Sequence, residues 1–347
     1  MTSRRVLVIT TVHSGDDNRI REKTVRTLAM DRPVTLACRE PGPSDRRGLD
    51  YLPLRGNRIQ RNLRAARIVF RAHGQLLSLH DPELLPLGVL ASLAGRAVVF
   101  DLHEDVPAQI LTKDWIWPWA RRPLAWTVAA LLRIAERTLT VTLAEGSYQR
   151  LFVRPHTVIA NYPIVDTLPT AEAEGAGVVY VGDVTKERGL YEAAEACAAV
   201  GLDLTIVGPV REEVERDIRA IAGRGATLTG RLSHAEAMRR VASASIAVSP
   251  LRDLPNYRHS VPTKVIEYLA VGVPVVASDL PATREVTRGL EAVHLHTPGD
   301  VSSLAECLSA ISDADRAAAG AQAGEVRRRY SWPAEALAEV YDAVGGR

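Results

Sequence analysis

Residues 255–286 read PNYRHSVPTKVIEYLAVGVPVVASDLPATREV, and this stretch decides the fold. Pro262, with its fixed φ and no amide hydrogen, suits the first turn of a helix. Val265, Ile266, Leu269 and Ala270 then recur at helical spacing, and Gly272 supplies the stop. The run VPVVAS (273–278) is apolar and β-branched, as a strand buried on both faces requires. Loop, short helix, glycine stop and buried strand make half of a βαβ unit. The open amides of such a helix start attract an anion such as phosphate. Lys264 puts a positive charge where the helix dipole disfavours one, a conflict that a bound anion resolves. Glu267, one turn on, can accept two hydrogen bonds from a sugar diol.

The same alternation runs outward from this segment. RVLVIT (5–10), a helix over 19–30 and VTLACR (34–39) form a first βαβ unit, joined by the loop TVHSGDDNR (11–19). That loop lacks G-x-G-x-x-G, so a nicotinamide dinucleotide is not indicated. It nevertheless follows a central strand, where open α/β sheets bind ligands. Asp17 reads equally as a helix cap, with Arg19 structural. Two further strands, Leu76–Leu79 before HDPELL (80–85) and AVVFDLHED (97–105), each deliver a histidine and carboxylates to one sheet edge. His80, Asp81, Asp101, His103 and Glu104 are therefore site candidates, with a second reading in which one carboxylate only orients an imidazole. LTVTLA (139–144) and HTVIANYP (156–163) close the first domain. VVYVGDVTKERGL (178–190) opens the second, LDLTIVG (202–208) adds a buried strand, and Ser233 with Glu236 forms a capping box. RRRYSWPAEALAEVYDAV (327–344) reads as an amphipathic helix capped by Ser331.

The 347 residues are long for one core and imply two domains. A hydrophobic share of 46% with 24% charged residues fits a soluble globular protein, and a net charge of +2 is too mild to imply nucleic acid. Cys38, Cys197 and Cys307 lie far apart without ligand spacing and read as small reduced core residues. No D-x-D or His/Cys ligand cluster appears, so no metal is expected. The short apolar run after Arg5 reads as a buried strand rather than a signal peptide, and no stretch is long and apolar enough to span a bilayer. The expected location is the cytoplasm. In KDWIWPWARRPLAWTVAALLRIAERT (113–138), Trp115, Trp117, Trp119 and Trp126 lie close to Arg121, Arg122 and Arg133. Two readings stand: peripheral docking at the inner face of a membrane, or a core helix over 123–137 behind a proline-broken aromatic loop.

Ser260 to Tyr268 reads S-x-P-x-K-x-x-E-Y, and Glu267 leads through Gly272 into PVV. This resembles the donor segment of retaining nucleotide-sugar glycosyltransferases of family 4 (glycosyltransferase group 1), which have the GT-B fold. The resemblance extends along the chain. It implies two Rossmann-like, doubly wound α/β domains with a cleft between them: an acceptor-side domain over 1–164 and a donor domain over 165–326. A last helix, 327–347, is implied to cross back to the first domain. The implied activity is transfer of a sugar from a nucleotide-diphosphate sugar to a hydroxyl acceptor, a glycan, lipid-linked or small molecule. Configuration is implied to be retained and no cofactor or metal required. His103 is implied to lie beside the transferred sugar, with Glu104, Arg188 and Lys264 as the other catalytic candidates. His80, Asp81 and Asp101 fall on the acceptor side. The donor is implied to meet Ser14, Gly15, Gly182, Asp183, Arg231 and Leu232, and in the opening segment His259, Ser260, Val261, Pro262, Thr263 and Glu267. Two positions depart from the family pattern. His259 stands where a glutamate is usual, and Asp183 where an arginine is common. They keep two alternatives open, a non-catalytic nucleotide-sugar-binding subunit and a nucleotide-sugar epimerase on the same fold.

Overall fold

The structure, a computed structural model, describes residues 4–42, 48–113 and 116–346. The chain divides into two compact units, Met1–Asn161 with Trp332–Arg347, and Tyr162–Ser331.

The first unit is built on seven parallel strands: β1 (Val6–Ile9), β2 (Val34–Cys38), β3 (Leu49–Pro53), β4 (Leu76–Leu79), β5 (Val98–Leu102), β6 (Thr140–Leu143) and β7 (Thr157–Val158), in the order 3-2-1-4-5-6-7. Val6 pairs with Val34 on one side and Leu76 on the other. Strand order therefore reverses at β1/β4, the crevice where parallel sheets bind ligands beyond their carboxyl ends. Every residue of β1, β2, β4 and β5 is buried, as the continuous apolar runs demand. The helix after β1 is wound as a π-helix over Asn18–Val25 and continues as α only over Arg26–Leu28, short of the expected 30. Asp17 caps it by accepting from the Ile20 amide at 2.8 Å.

The tryptophan-bearing helix spans Pro118–Ala135 rather than beginning at 123. Pro118 starts it with a preset φ, and Pro123 falls early enough to remove one helical hydrogen bond without breaking the rest. The expected continuous helix 327–344 is also corrected. One helix, Asp313–Arg329, ends before Tyr330, and a new one, Ala334–Gly345, begins with Pro333 as its N-cap and no side-chain cap from Ser331. Pro333 forces the residue before it out of the helical region, which fixes the break. Trp332 then donates from Nε1 to Thr27 Oγ1 at 2.9 Å, and Tyr341 is fully buried, so the last helix belongs to the first unit's core.

The second unit carries six parallel strands: β8 (Val178–Val181), β9 (Leu204–Val207), β10 (Ala226–Leu228), β11 (Ile246–Ser249), β12 (Val275–Ser278) and β13 (Val293–His296), in the order 10-9-8-11-12-13. Its reversal lies at β8/β11. Helix Thr263–Val271 buries Val265, Ile266, Tyr268 and Leu269 and ends at Gly272, whose φ of 98° is left-handed. Pro262 precedes this helix as its N-cap rather than opening its first turn. Cys38 and Cys197 are buried free thiols, and Cys307 is a half-buried one that packs against the second unit's core. No described helix is long and apolar enough to cross a membrane.

Candidate functional site

In the second unit, the loop after β8 meets the start of helix Thr263–Val271. Lys264 donates from Nζ to Tyr180 Oη at 3.1 Å and lies 4.6 Å from the centre of that ring. Gly182 is what lets it pass: a Cβ there would sit 1.9 Å from Lys264 Nζ, and its φ of 143° is one that side chains rarely adopt. Burial pulls Lys264 down to about 7, and the Arg188 charge acts in the same direction. Arg188 ends the short 3-10 turn Lys186–Arg188 that follows the glycine's loop, with its guanidinium 5.9 Å from the Tyr257 ring. Asp183, the departure noted in the sequence, lies 3.8 Å from Arg188, so it faces the cation of its own loop. Tyr268 accepts from the Val181 amide at 2.9 Å and pins the end of β8 to the helix.

The other donor candidates fall around this centre unevenly. Glu267 receives His234 Nε2 at 2.9 Å. His234 opens helix His234–Ala242, whose capping box of Ser233 and Glu236 holds it in place. Sequence reasoning named the cap and passed over the histidine beside it. Arg231 and His259 are exposed, Leu232, Ser260, Val261 and Thr263 half-buried, and Pro262 buried. The Thr263 amide turns back to the Val261 carbonyl at 2.9 Å.

In the first unit, the loops after β1, β4 and β5 bring three histidines together. Asp101 receives Arg19 through two nitrogens, at 3.1 and 2.9 Å, and Thr142 Oγ1 at 2.8 Å. Burial alone would raise this carboxyl, but Arg19 and then His103 hold it well below the usual range, so it is ionised. It therefore accepts at Oδ2 from His103 Nε2 at 2.8 Å. His80 Nδ1 lies 2.9 Å from that same nitrogen and must accept there too. The His80 proton then sits on Nε2, 3.0 Å from Ser78 Oγ, which lies 2.6 Å from Tyr341 Oη. This chain leaves the His103 Nδ1 lone pair free to take a hydroxyl proton. Burial, followed by the His103 charge, drives His80 down to about 3, so His80 stays neutral.

His13 is the third histidine, and nothing in its loop sequence singled it out. Its ring lies 6.3 Å from that of His103, and its Nδ1 is 2.9 Å from Asp17 Oδ2. The hydrogen bond to Asp17 raises its pKa against the pull of burial. Asp81 accepts from the Thr11 amide at 2.5 Å and lies 3.7 Å from His13 Nε2; burial raises its pKa. Glu104 is exposed. Ser14 bonds to Asp16, and the Gly15 amide donates to Glu40 O at 2.7 Å, so that amide is already committed within the loop.

His80, Asp101 and His103 offer ligand atoms within 4.8 Å of one another, which is compact enough for a cation. The donor set does not suit one. Both Asp101 oxygens are taken by Arg19, Thr142 and His103, and a metal there would face the buried guanidinium. The arrangement orients an imidazole.

Residues 175–313 match the family described as Glycosyl transferases group 1, so the second unit carries such a domain. A phosphatidyl-myo-inositol mannosyltransferase of Mycobacterium leprae is 42% identical over 84 residues, 23% of this chain and 22% of that protein. The chain thus matches under a quarter of that relative's length. Among solved structures, a sucrose-phosphate synthase from Thermosynechococcus elongatus superposes with a TM-score of 0.73 at 17% identity, over 99% of both chains. Anabaena Alr3699/HepE in complex with UDP-glucose superposes at 0.71 and 15%, over 99% of this chain and 98% of that one. These likenesses establish the fold, two parallel-sheet Rossmann-like units of the GT-B kind.

Proposed function

We propose that the chain is a glycosyltransferase that moves a sugar from a nucleoside-diphosphate sugar to a hydroxyl acceptor, with retained configuration and without a metal. The observation that carries this is the pairing of Lys264 and Arg188 around Gly182, at the strand-order reversal of a group 1 domain. Transfer leaves negative charge on the departing diphosphate. Two cations beside a helix start stabilise that charge more in the transition state than in the bound donor. Glu267, steadied by His234, accepts from sugar hydroxyls. His103, through the Nδ1 lone pair its neighbours leave free, is assigned to the reacting hydroxyl, with Asp101 stabilising the imidazolium that forms. No nucleophile is assigned. Alr3699/HepE is a complex with UDP-glucose, which supports a nucleotide sugar as donor.

A bilayer-borne acceptor completes the reading. Trp117, Trp119 and Trp126 are 72%, 77% and 77% exposed, which favours the interfacial reading of this helix over the core one. Trp115 lies outside the described residues. The name of the mycobacterial relative points to a lipid acceptor for that protein, and supports one here.

A thermal-shift screen of UDP-, GDP-, ADP- and dTDP-sugars identifies the donor, because a ligand of the native state alone raises its melting point. Product analysis with and without lipid and soluble acceptors follows. Epimerised donor without acceptor, or donor binding with no product under any acceptor, would overturn the transferase reading.

A further inference from the structure

Helices Arg58–Arg71, Leu85–Leu93 and Pro118–Ala135 precede β4, β5 and β6. Right-handed crossovers between parallel strands that step one way along a sheet place such helices on one face. The middle helix packs against both of its neighbours. Helix Arg58–Arg71 holds five arginines, at 58, 61, 64, 67 and 71, and no carboxylate. Helix Leu85–Leu93 holds no charge at all. Helix Pro118–Ala135 holds Arg121, Arg122 and Arg133 and, again, no carboxylate. Against a whole-chain charge of +2, this layer concentrates positive charge on one face.

The same face is apolar. Helix Arg58–Arg71 turns Ala65 and Val69 inward. A second stripe, Ile59, Leu63, Ala66 and Phe70, recurs at i, i+4, i+7 and i+11, the spacing of one helix face. Ile59 is 74% exposed, Leu63 56% and Phe70 53%, and Leu90 and Leu93 of the next helix add 58% and 71%. Between the two helices lies a groove of about 570 Å³, with Leu63, Phe70, Leu87 and Leu90 along its sides and Arg58, ion-paired with Glu83, at its rim. Arg67 and Arg71 form no ion pair among the described residues.

We propose that this layer of three helices docks on an anionic lipid bilayer. The stripe of Ile59, Leu63 and Phe70 enters the acyl boundary, and the arginines keep their heads at the phosphate level. A second copy of this chain is a poor occupant, because two such faces would set arginines against arginines. The three helices hold arginines and no carboxylate, a single-sign surface that suits lipid phosphates better than the mixed polar rim of a protein interface. The proposal extends the bilayer contact of the tryptophan helix to two helices on which the acceptor argument does not draw. It stands whether or not a sugar donor is turned over.

The test is flotation of the full chain with vesicles of phosphatidylcholine alone and with added phosphatidylglycerol. Binding is expected on the anionic vesicles only, weakening as salt rises. Arg67→Gln with Arg71→Gln should weaken it roughly 5-fold per arginine removed. Leu63→Ser with Phe70→Ser should weaken it at least about 10-fold. All four positions are exposed, so melting points should not move. Arg188→Ala should float as the wild type does, which separates this inference from the transferase reading. Equal binding to uncharged vesicles, wild-type binding by both double variants, or concentration-dependent dimers that the variants abolish would overturn it.

Discussion

Donor binding should take up a proton, and the proton belongs to Lys264. In the free protein this ammonium is pulled down to about 7, first by burial and then by Arg188. A diphosphate beside it favours the charged form and restores the pKa towards or above its ordinary value of about 10.4. At pH 8 the free protein then holds roughly a tenth of a proton on Lys264 and the complex nearly a whole one, an uptake of about 0.9. Affinity should fall about 16-fold between pH 7 and pH 8.5, approaching tenfold per unit above that, or about 1.4 kcal/mol per unit. The donor contributes nothing to this slope, because its phosphates are diesters that ionise far below the range. Titration calorimetry at pH 8, in buffers of different ionisation enthalpy, reads the uptake directly. Lys264→Met should bind weakly and with no proton uptake. Folding without donor gives the opposite sign. The unfolded chain holds this proton up to its ordinary pKa and the folded chain releases it near 7, so Lys264 adds stability as pH rises from about 7 to about 10. A wild-type uptake near zero at pH 8, with donor bound, would refute the placement of Lys264 against the diphosphate.

Arg188→Ala should lower turnover by about one to three orders of magnitude, the cost of one donor to the developing charge; steady-state rates that match the wild type would exclude its role. Gly182→Ala places a methyl 1.9 Å from Lys264 Nζ and should abolish the donor-induced melting shift while the fold survives, as circular dichroism would report. Arg19→Ala strands the buried Asp101 carboxylate and should destabilise the first unit by about 3–5 kcal/mol in urea titrations; Arg19→Ala combined with Asp101→Asn should recover part of that loss. Ser78→Ala leaves the His80 proton without an acceptor and should shift the His103 tautomer, read from its nitrogen chemical shifts. An unchanged spectrum would mean that Asp101 alone orients the ring.

The strands were legible because they depend on a local rule, apolar runs for buried parallel strands, whereas Gly182 and Arg188 were marked by the family resemblance of their segment, and the structure adds why a side chain cannot fit at Gly182. Gly182, Arg188 and Lys264 are separated by up to 82 positions, yet each announced itself in its own segment. What was not legible depends on pairing across the sheet. Arg19 looked structural and Asp101 looked like one carboxylate among several, and only the β1/β5 juxtaposition joins them. His13 and His234 each sit in a polar loop or cap with no local pattern to mark them. The two helix corrections both turn on proline: Pro123 is absorbed inside a helix that was expected to start there, whereas Pro333 caps the second of two helices that were expected as one.

Each unit keeps a cation against an aromatic ring, and the difference between them argues for where an anion binds. Arg19 lies 5.6 Å from the Trp332 ring, but its charge is already answered by both oxygens of Asp101. An anion arriving there would compete with a carboxylate that burial and two hydrogen bonds hold in place. Lys264 has a comparable aromatic neighbour in Tyr180 and forms no ion pair among the described residues. Its depressed pKa is the sign of a cation without an adequate counter-charge. Asp183, 3.8 Å from Arg188, offsets part of the loop's charge, and with Glu267 it pulls the Lys264 pKa upward, yet burial and Arg188 outweigh both. On the proposed function, electrostatics therefore favour the second unit for the diphosphate, while the first unit offers an imidazole oriented by Asp101 whose cationic neighbour, Arg19, is already paired.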